Sequence, residues 1–201
     1  QMAAAPGTEQ KGPQRYGTFK EAFNHNMVFV YGTKGNKAEN EWAFNKARYD
    51  AETWYYRGNG AVDIIADKEY YTSEYAGRNV IIYGNASTNS AWSLLLNDSP
   101  VQVSRNHVSA GANAWSGDDL AVYFTRPIKN SPMNAVGVVA GTGLKAMNAA
   151  NANQYFAGGS GFPDYMIFRL DMLRDGSQAI ELAGFFDNNW KMDKKNQAGG
   201  K

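Results

Sequence analysis

Cysteine is absent from this chain of 201 residues, and only two histidines occur. The first absence removes thiol nucleophiles, thiolate metal sites and disulfides together. The second leaves His25 and His107 as the only imidazoles able to act as a base. Long apolar runs are also missing. None approaches the roughly 18 residues needed to cross a bilayer, so no membrane span is expected. The net charge is only +1, and Lys191–Lys201 with four Lys and one Asp leaves the remainder at −2. Without a basic stripe on that remainder, nucleic acid is not an expected partner. The N-terminal residues show no charged stretch followed by an apolar one, so no signal peptide is visible.

What is present suits a folded domain. Hydrophobic residues make up 43% and charged residues 19%, which opposes disorder. Residues 1–15 have the low-complexity character of a linker, as if following an internal start. Residues 16–190 read as one domain, and the basic segment 191–201 as a solvated, disordered tail.

Strand–loop–helix order recurs three times. Met27–Tyr31 is continuously apolar and β-prone, as a strand covered on both faces should be. The turn residues Gly32–Asn36 lead into a helix over about Lys37–Arg57. Its small Ala43, Ala47 and Ala51 row would lie against a sheet, with Glu39, Lys46, Arg48, Asp50 and Glu52 elsewhere. Gly58-Asn59-Gly60 ends it, and Val62–Ala66 is the next strand, completing a βαβ unit. Asn79–Tyr83 precedes Gly84-Asn85 and a helix over Ser87–Asn97; Val136–Ala140 precedes Gly141-Thr142-Gly143 and a helix over Leu144–Ala157.

Two connections are too short for parallel crossovers: those joining Leu120–Thr125 to Ala135–Ala140, and Tyr165–Arg169 to Ala179–Phe186. Both predict antiparallel hairpins. The expected fold class is therefore α/β, a three-layer αβα sandwich on a mainly parallel Rossmann- or flavodoxin-like sheet with antiparallel edge strands.

Ligands of open parallel sheets bind beyond the carboxyl ends of the strands. That rule singles out Lys34, Asn36, Asn85, Asn89 and Thr142 as candidate binding residues, with Lys34 as counter-charge in a cleft for a polar or anionic small molecule. Tight glycine turns explain the same residues without a ligand. Val30–Asn36 is similar to a flavodoxin phosphate loop, although Lys37 stands where its closing threonine belongs. FMN is thus the one cofactor considered, and none is the expectation. No G-x-S-x-G elbow occurs, since Gly158–Phe162 fails at its last position, and Ser87 lacks that framing. Asp118-Asp119 and Asp187-Asn188-Asn189 fit turns better than metal sites, and no metal is expected. Arg48, Asp50 and Asp63 would join a hydrolytic site only if the fold brought them there. The many aromatics, Trp54-Tyr55-Tyr56 and Tyr70-Tyr71 among them, read as core or as a sugar-stacking surface.

A family resemblance runs through His25–Thr33, Asn40–Ala43, Lys46–Asp50, Tyr56–Gly60, Asn79–Asn85, Thr88–Trp92, Ser99–Val103, Gly141–Leu144 and Gly184–Trp190. Together these stretches resemble a domain found toward the C-terminus of bacterial secreted proteins similar to esterases and prolyl-oligopeptidase-type serine peptidases. The resemblance covers about Gly12 to Trp190. It implies an extracytoplasmic location, an adjacent hydrolase-like domain that carries the nucleophile, and an accessory role in docking that neighbour or a carbohydrate or peptide substrate. It transfers no site residues. The alternatives are a hydrolase with its site in the βα-loop cleft and a flavodoxin-like cofactor binder.

Overall fold

The computed structural model describes residues 7–151 and 155–199. Its centre is an eight-stranded sheet whose strands are β1 (Met27–Tyr31), β2 (Asp63–Ala66), β3 (Asn79–Tyr83), β7 (Leu120–Pro127), β8 (Ala135–Gly141), β9 (Tyr165–Arg169), β10 (Ile180–Phe186) and β11 (Met192–Ala198). A separate three-stranded meander holds β4 (Val101–Ser104), β5 (His107–Ala110) and β6 (Asn113–Ser116). The large sheet runs β11-β10-β9-β7-β8-β3-β1-β2. Strands β2, β1, β3 and β8 pair parallel; β7, β9, β10 and β11 extend the sheet antiparallel from β8.

This sheet-rich architecture corrects the expected three-layer αβα sandwich and the Rossmann- or flavodoxin-like reading. Antiparallel strands form half of the sheet rather than its edge. Only α1 (Lys37–Gly58) is long; α2 (Ala91–Leu95), α3 (Leu144–Ala149) and α4 (Met172–Asp175) are one or two turns. The two faces are covered differently. Alternate side chains Val28, Val30, Val80, Ile82, Val122, Phe124 and Ile167 pack with Trp92, Leu96, Val101, Val103 and Val108, so α2 and the meander cover that face. The other set, Phe29, Ile81, Tyr83, Tyr123 and Phe168, packs with Trp42, Ala43, Ala47, Met147 and the short 3-10 helix Phe19–Phe23. A small sheet therefore replaces the second helical layer. The reason is local: Val101, Val103, Val108 and Ala110 alternate with polar residues, and Asn106 and Gly111 adopt positive φ (58° each) at the turns. That is period two, a strand signal.

The ends of the chain are also more ordered than composition suggests. Residues 192–198, expected as tail, form β11, with Phe186 opposite Met192 and Ala183 opposite Ala198. Backbone pairing to β10 and the packing of Met192 against the core outweigh the poor strand propensity of this segment. Its Lys194 and Lys195 stay exposed, as suits an edge that must not recruit another strand. At the other end, Arg15 is buried and the Lys11 amide donates 2.9 Å to the Asn188 carbonyl, so the stretch expected as linker packs on the domain. Residues 1–6 of that linker, 152–154 of the helix expected over Leu144–Ala157 and 200–201 of the expected tail lie outside the described residues; the helix itself ends at Ala149.

Candidate functional site

The loops beyond the parallel strands are tied together by their own side chains. Asn85 donates 2.7 Å to the Gly141 carbonyl and accepts from the Ser87 amide. Asn89 donates to the Val30 and Tyr83 carbonyls (3.0 and 3.1 Å) and accepts from the Ala91 amide. Thr142 Oγ1 accepts from the Leu120 amide. Asn36 is the N-cap of α1, accepting from the Glu39 amide at 3.0 Å while Glu39 accepts from the Asn36 amide at 2.7 Å. This capping box explains why the helix begins here. Arg105 closes over it, donating to both Glu39 oxygens (3.0 and 2.6 Å), and holds that carboxyl below its ordinary range. Asp67, buried, accepts from the Thr33 amide at 3.1 Å and the Ser90 hydroxyl at 2.8 Å.

Fold and sequence thus bring Asn85, Asn89 and Thr142 together, but their polar groups are spent on the chain. Of the five predicted residues only Lys34 is exposed with no side-chain partner among the described residues. The space between the loops is filled as well: a β-carbon on Gly32 would lie 2.4 Å from the Thr88 carbonyl oxygen. Gly32→Ala is expected to cost about 1–3 kcal/mol by forcing these loops apart, whereas Lys34→Ala should change stability by less than about 0.5 kcal/mol. Urea unfolding midpoints of the two variants check this; equal midpoints would show that the loop packing is slack.

Other sequence candidates have structural employment. Asp119 pairs with Arg169 and Asp118 with Lys145. Asp187 accepts from the Asn189 and Lys191 amides in a tight turn. Asp63 is exposed and pairs with Arg78. His25 and His107 are both exposed, and Ser87 Oγ accepts from the Arg105 amide. Among the described residues no group of three His, Asp or Glu is arranged to hold a metal ion.

Polar groups remain available on the flank of α1. The helix presents Trp42, Ala43, Lys46, Ala47 and Asp50 inward, so Lys46 and Asp50 are buried rather than solvated. They are an i,i+4 pair at 2.8 Å, with side chains 2% and 1% exposed. The second Asp50 oxygen accepts from the Tyr83 hydroxyl at 2.9 Å and from the Tyr155 hydroxyl. Burial pushes the Asp50 carboxyl up, against the pull of Lys46 and both phenols, and holds those phenols far above their ordinary range. The Lys46 ammonium also lies 4.8 Å from the Tyr155 ring centroid and 5.5 Å from that of Tyr49. A charged, hydrogen-bonded foundation therefore fixes the rotamers of the surface above it.

That surface is a depression of about 350 Å³ lined by Trp42, Asn45, Lys46, Arg48, Tyr49 and Asn151. Trp42 Nε1 donates 3.2 Å to Asn151 Oδ1, which orients that amide and leaves its NH₂ available. Asn45 and the Tyr49 hydroxyl have no hydrogen-bond partner among the described residues, and Tyr49 is 60% exposed. An aromatic ring beside amide donors and acceptors is the chemistry that holds a ring carrying both C–H and hydroxyl groups. A comparable depression of about 330 Å³ is lined in part by Tyr70, Tyr75 and Arg78, just before β3. There the aromatic faces are taken: Tyr70 stacks on Tyr75, and Arg78 lies over Tyr75. Sequence reasoning misses the α1 groove because Asn151 comes from a distant loop. The aromatic run Trp54-Tyr55-Tyr56 at the end of the helix does not line it; its rings are Trp42 and Tyr49.

Comparison with protein-family models found no match, and comparison with curated proteins found none either.

Proposed function

We propose that this chain is an accessory, non-catalytic domain of a secreted hydrolase-like protein, and that it docks a polymeric carbohydrate substrate in the groove on α1. The observation that carries the reading is the available polar set, the Asn45 amide, the Tyr49 hydroxyl and the Asn151 NH₂, held over the buried Lys46–Asp50 pair. A sugar ring laid on the outer face of Tyr49 places its hydroxyls among the two amides, and the binding surface needs no rearrangement because its foundation is packed. The neighbouring domain, in an extracytoplasmic setting, would supply the nucleophile. The likeness to C-terminal domains of esterase- and peptidase-like proteins supports this division of labour.

Trp42 lines the groove, so a ligand seated there should perturb the tryptophan emission of the chain, to which five indoles contribute. Titration with a panel of oligosaccharides should shift that emission saturably, and Tyr49→Ala should weaken binding about tenfold, roughly 1.4 kcal/mol. Turnover of simple esters or peptides by this chain, or glycan binding indifferent to Tyr49→Ala, would overturn the assignment.

A further inference from the structure

A second, smaller depression of about 170 Å³ adjoins the C-terminal half of α1, and Lys20, Asn24, Trp54, Arg57 and Phe156 are among its lining residues. The Lys20 ammonium donates to the carbonyls of Ala157 and Ser160 at 2.9 and 3.1 Å, but no carboxylate pairs with it among the described residues. Arg57 is exposed on the last turn and likewise has no carboxylate partner among the described residues. Two cations thus share one small depression with the indole of Trp54, which packs against Phe156 at 5.8 Å. Several exposed cations elsewhere sit beside carboxylates, Lys37 with Glu41, Lys129 with Asp98, Lys145 with Asp118 and Arg174 with Asp175, whereas Lys34, Lys194 and Lys195, like these two, have no carboxylate partner among the described residues. Among the described residues no carboxylate lines this depression or the larger groove.

We infer that the ligand is an acidic glycan, with a carboxylate or sulfate of one sugar held between Lys20 and Arg57 while a neighbouring sugar occupies the Tyr49 groove. This inference rests on the proposed docking function and names its substrate class. Carbonyl-anchored Lys20 is a fixed point charge, and the guanidinium of Arg57, which lines the same depression, matches the two oxygens of a carboxylate. Trp54 offers a ring edge for the sugar itself, and an indole N–H without a partner among the described residues. From Tyr49 to Arg57 is eight residues, about 12 Å along the helix axis, a span that a short oligosaccharide covers. A nucleic acid fits less well, because the net charge of the chain is only +1 and a phosphate backbone calls for a longer run of cations than this pair.

Calorimetric titration of the full chain with oligogalacturonate and with the same oligomer fully methyl-esterified separates the possibilities, since esterification removes the charge and keeps the sugar. The acid should bind at least about tenfold tighter at low ionic strength, and salt should erode the difference. Lys20→Ala and Arg57→Ala should each remove most of that difference, weakening the acid far more than the ester. Arg57 is exposed, so its variant tests the site without disturbing the fold, and an unchanged melting midpoint checks Lys20→Ala. Equal affinity for acid and ester, or acid binding insensitive to Arg57→Ala, would overturn the acidic assignment and leave carbohydrate docking standing. Binding of neither, with no other glycan bound, would remove both. A single-stranded oligonucleotide of equal charge bound as tightly as the acid would show that the site reads charge alone, which also overturns it.

Discussion

Asp50→Ala should cost about 3–5 kcal/mol of folding stability, a large share of what a domain of this size possesses. The substitution strands the Lys46 ammonium, whose side chain is 2% exposed, and leaves the Tyr83 and Tyr155 hydroxyls without their shared acceptor. Removing both charges together is a different matter. Lys46→Met with Asp50→Leu replaces an ion pair by apolar volume, and such replacements are often neutral or stabilising; the part of the loss due to the stranded ammonium should return, while the Tyr83 and Tyr155 hydroxyls still lack their acceptor. The acid limb carries a second signature. Because burial raises the folded-state pKa of Asp50, the folded protein holds that proton more tightly than the unfolded chain. Stability from this group is therefore greatest below about pH 3.9, its unfolded value, and declines as pH rises toward the folded pKa. The decline should vanish in the double variant. Denaturant titrations across pH measure all three effects. A single-variant cost under about 1 kcal/mol, or a double variant as unstable as the single, would show that the pair is not the foundation of the groove.

Asp164→Ala should be comparably severe, about 3–5 kcal/mol, and should release the N-terminal segment. Asp164 is fully buried and accepts from the amides of Thr18 and Phe186, each at 2.8 Å, as well as pairing with the Lys11 ammonium. Lys11 in turn donates 2.9 Å to the Phe186 carbonyl and lies 5.0 Å from the Trp190 ring. Arg15 completes the strap by donating to the carbonyls of Ser131, Asn134 and Thr8. One carboxylate thus joins the chain's N-terminal segment, the start of β9 and the end of β10. Its loss leaves the buried Phe186 amide and the half-buried Thr18 amide unpaired and one ammonium without a counter-charge. Trypsin sites after Lys11 and Arg15 should be protected in the parent and cut rapidly in the variant. Unchanged protection would mean that Arg15 and Trp190 hold the strap unaided.

The contrast between these two carboxylates shows where a sequence stops informing. Asp50 lies on a helix that is legible: apolar spacing predicts it over Lys37–Arg57, and α1 spans Lys37–Gly58. The inner face of that helix is legible only in part, because an alanine row is a packing signal and a lysine or aspartate ordinarily is not. Asp164 sits in no pattern at all. Its role exists only because Lys11, Thr18 and Phe186 converge on it from separations of 153, 146 and 22 residues. The candidate site divides the same way. The glycine- and asparagine-rich loops are visible as loops, but their residues turn out to be acceptors and donors for one another. The α1 groove is completed by Asn151, which lies 109 residues from Trp42.

By itself the sequence determined the local events. Continuous apolar runs at Met27–Tyr31, Asn79–Tyr83 and Ala135–Gly141 became central strands, since such runs find no water-facing side. A capping box and a left-handed Asn59 bounded the long helix, because those contacts lie within one turn. Short connections made Leu120–Pro127 and Tyr165–Arg169 antiparallel to their neighbours, a matter of chain reach. Tertiary structure alone decided what covers each face of the sheet, that a basic tail serves as its edge strand, and which charges are buried. Those outcomes depend on free energy shared between segments distant in sequence. Burial and pairing set the state of Lys46, Asp50 and Asp164, and a side chain acquires its dielectric surroundings only when the rest of the chain has packed around it.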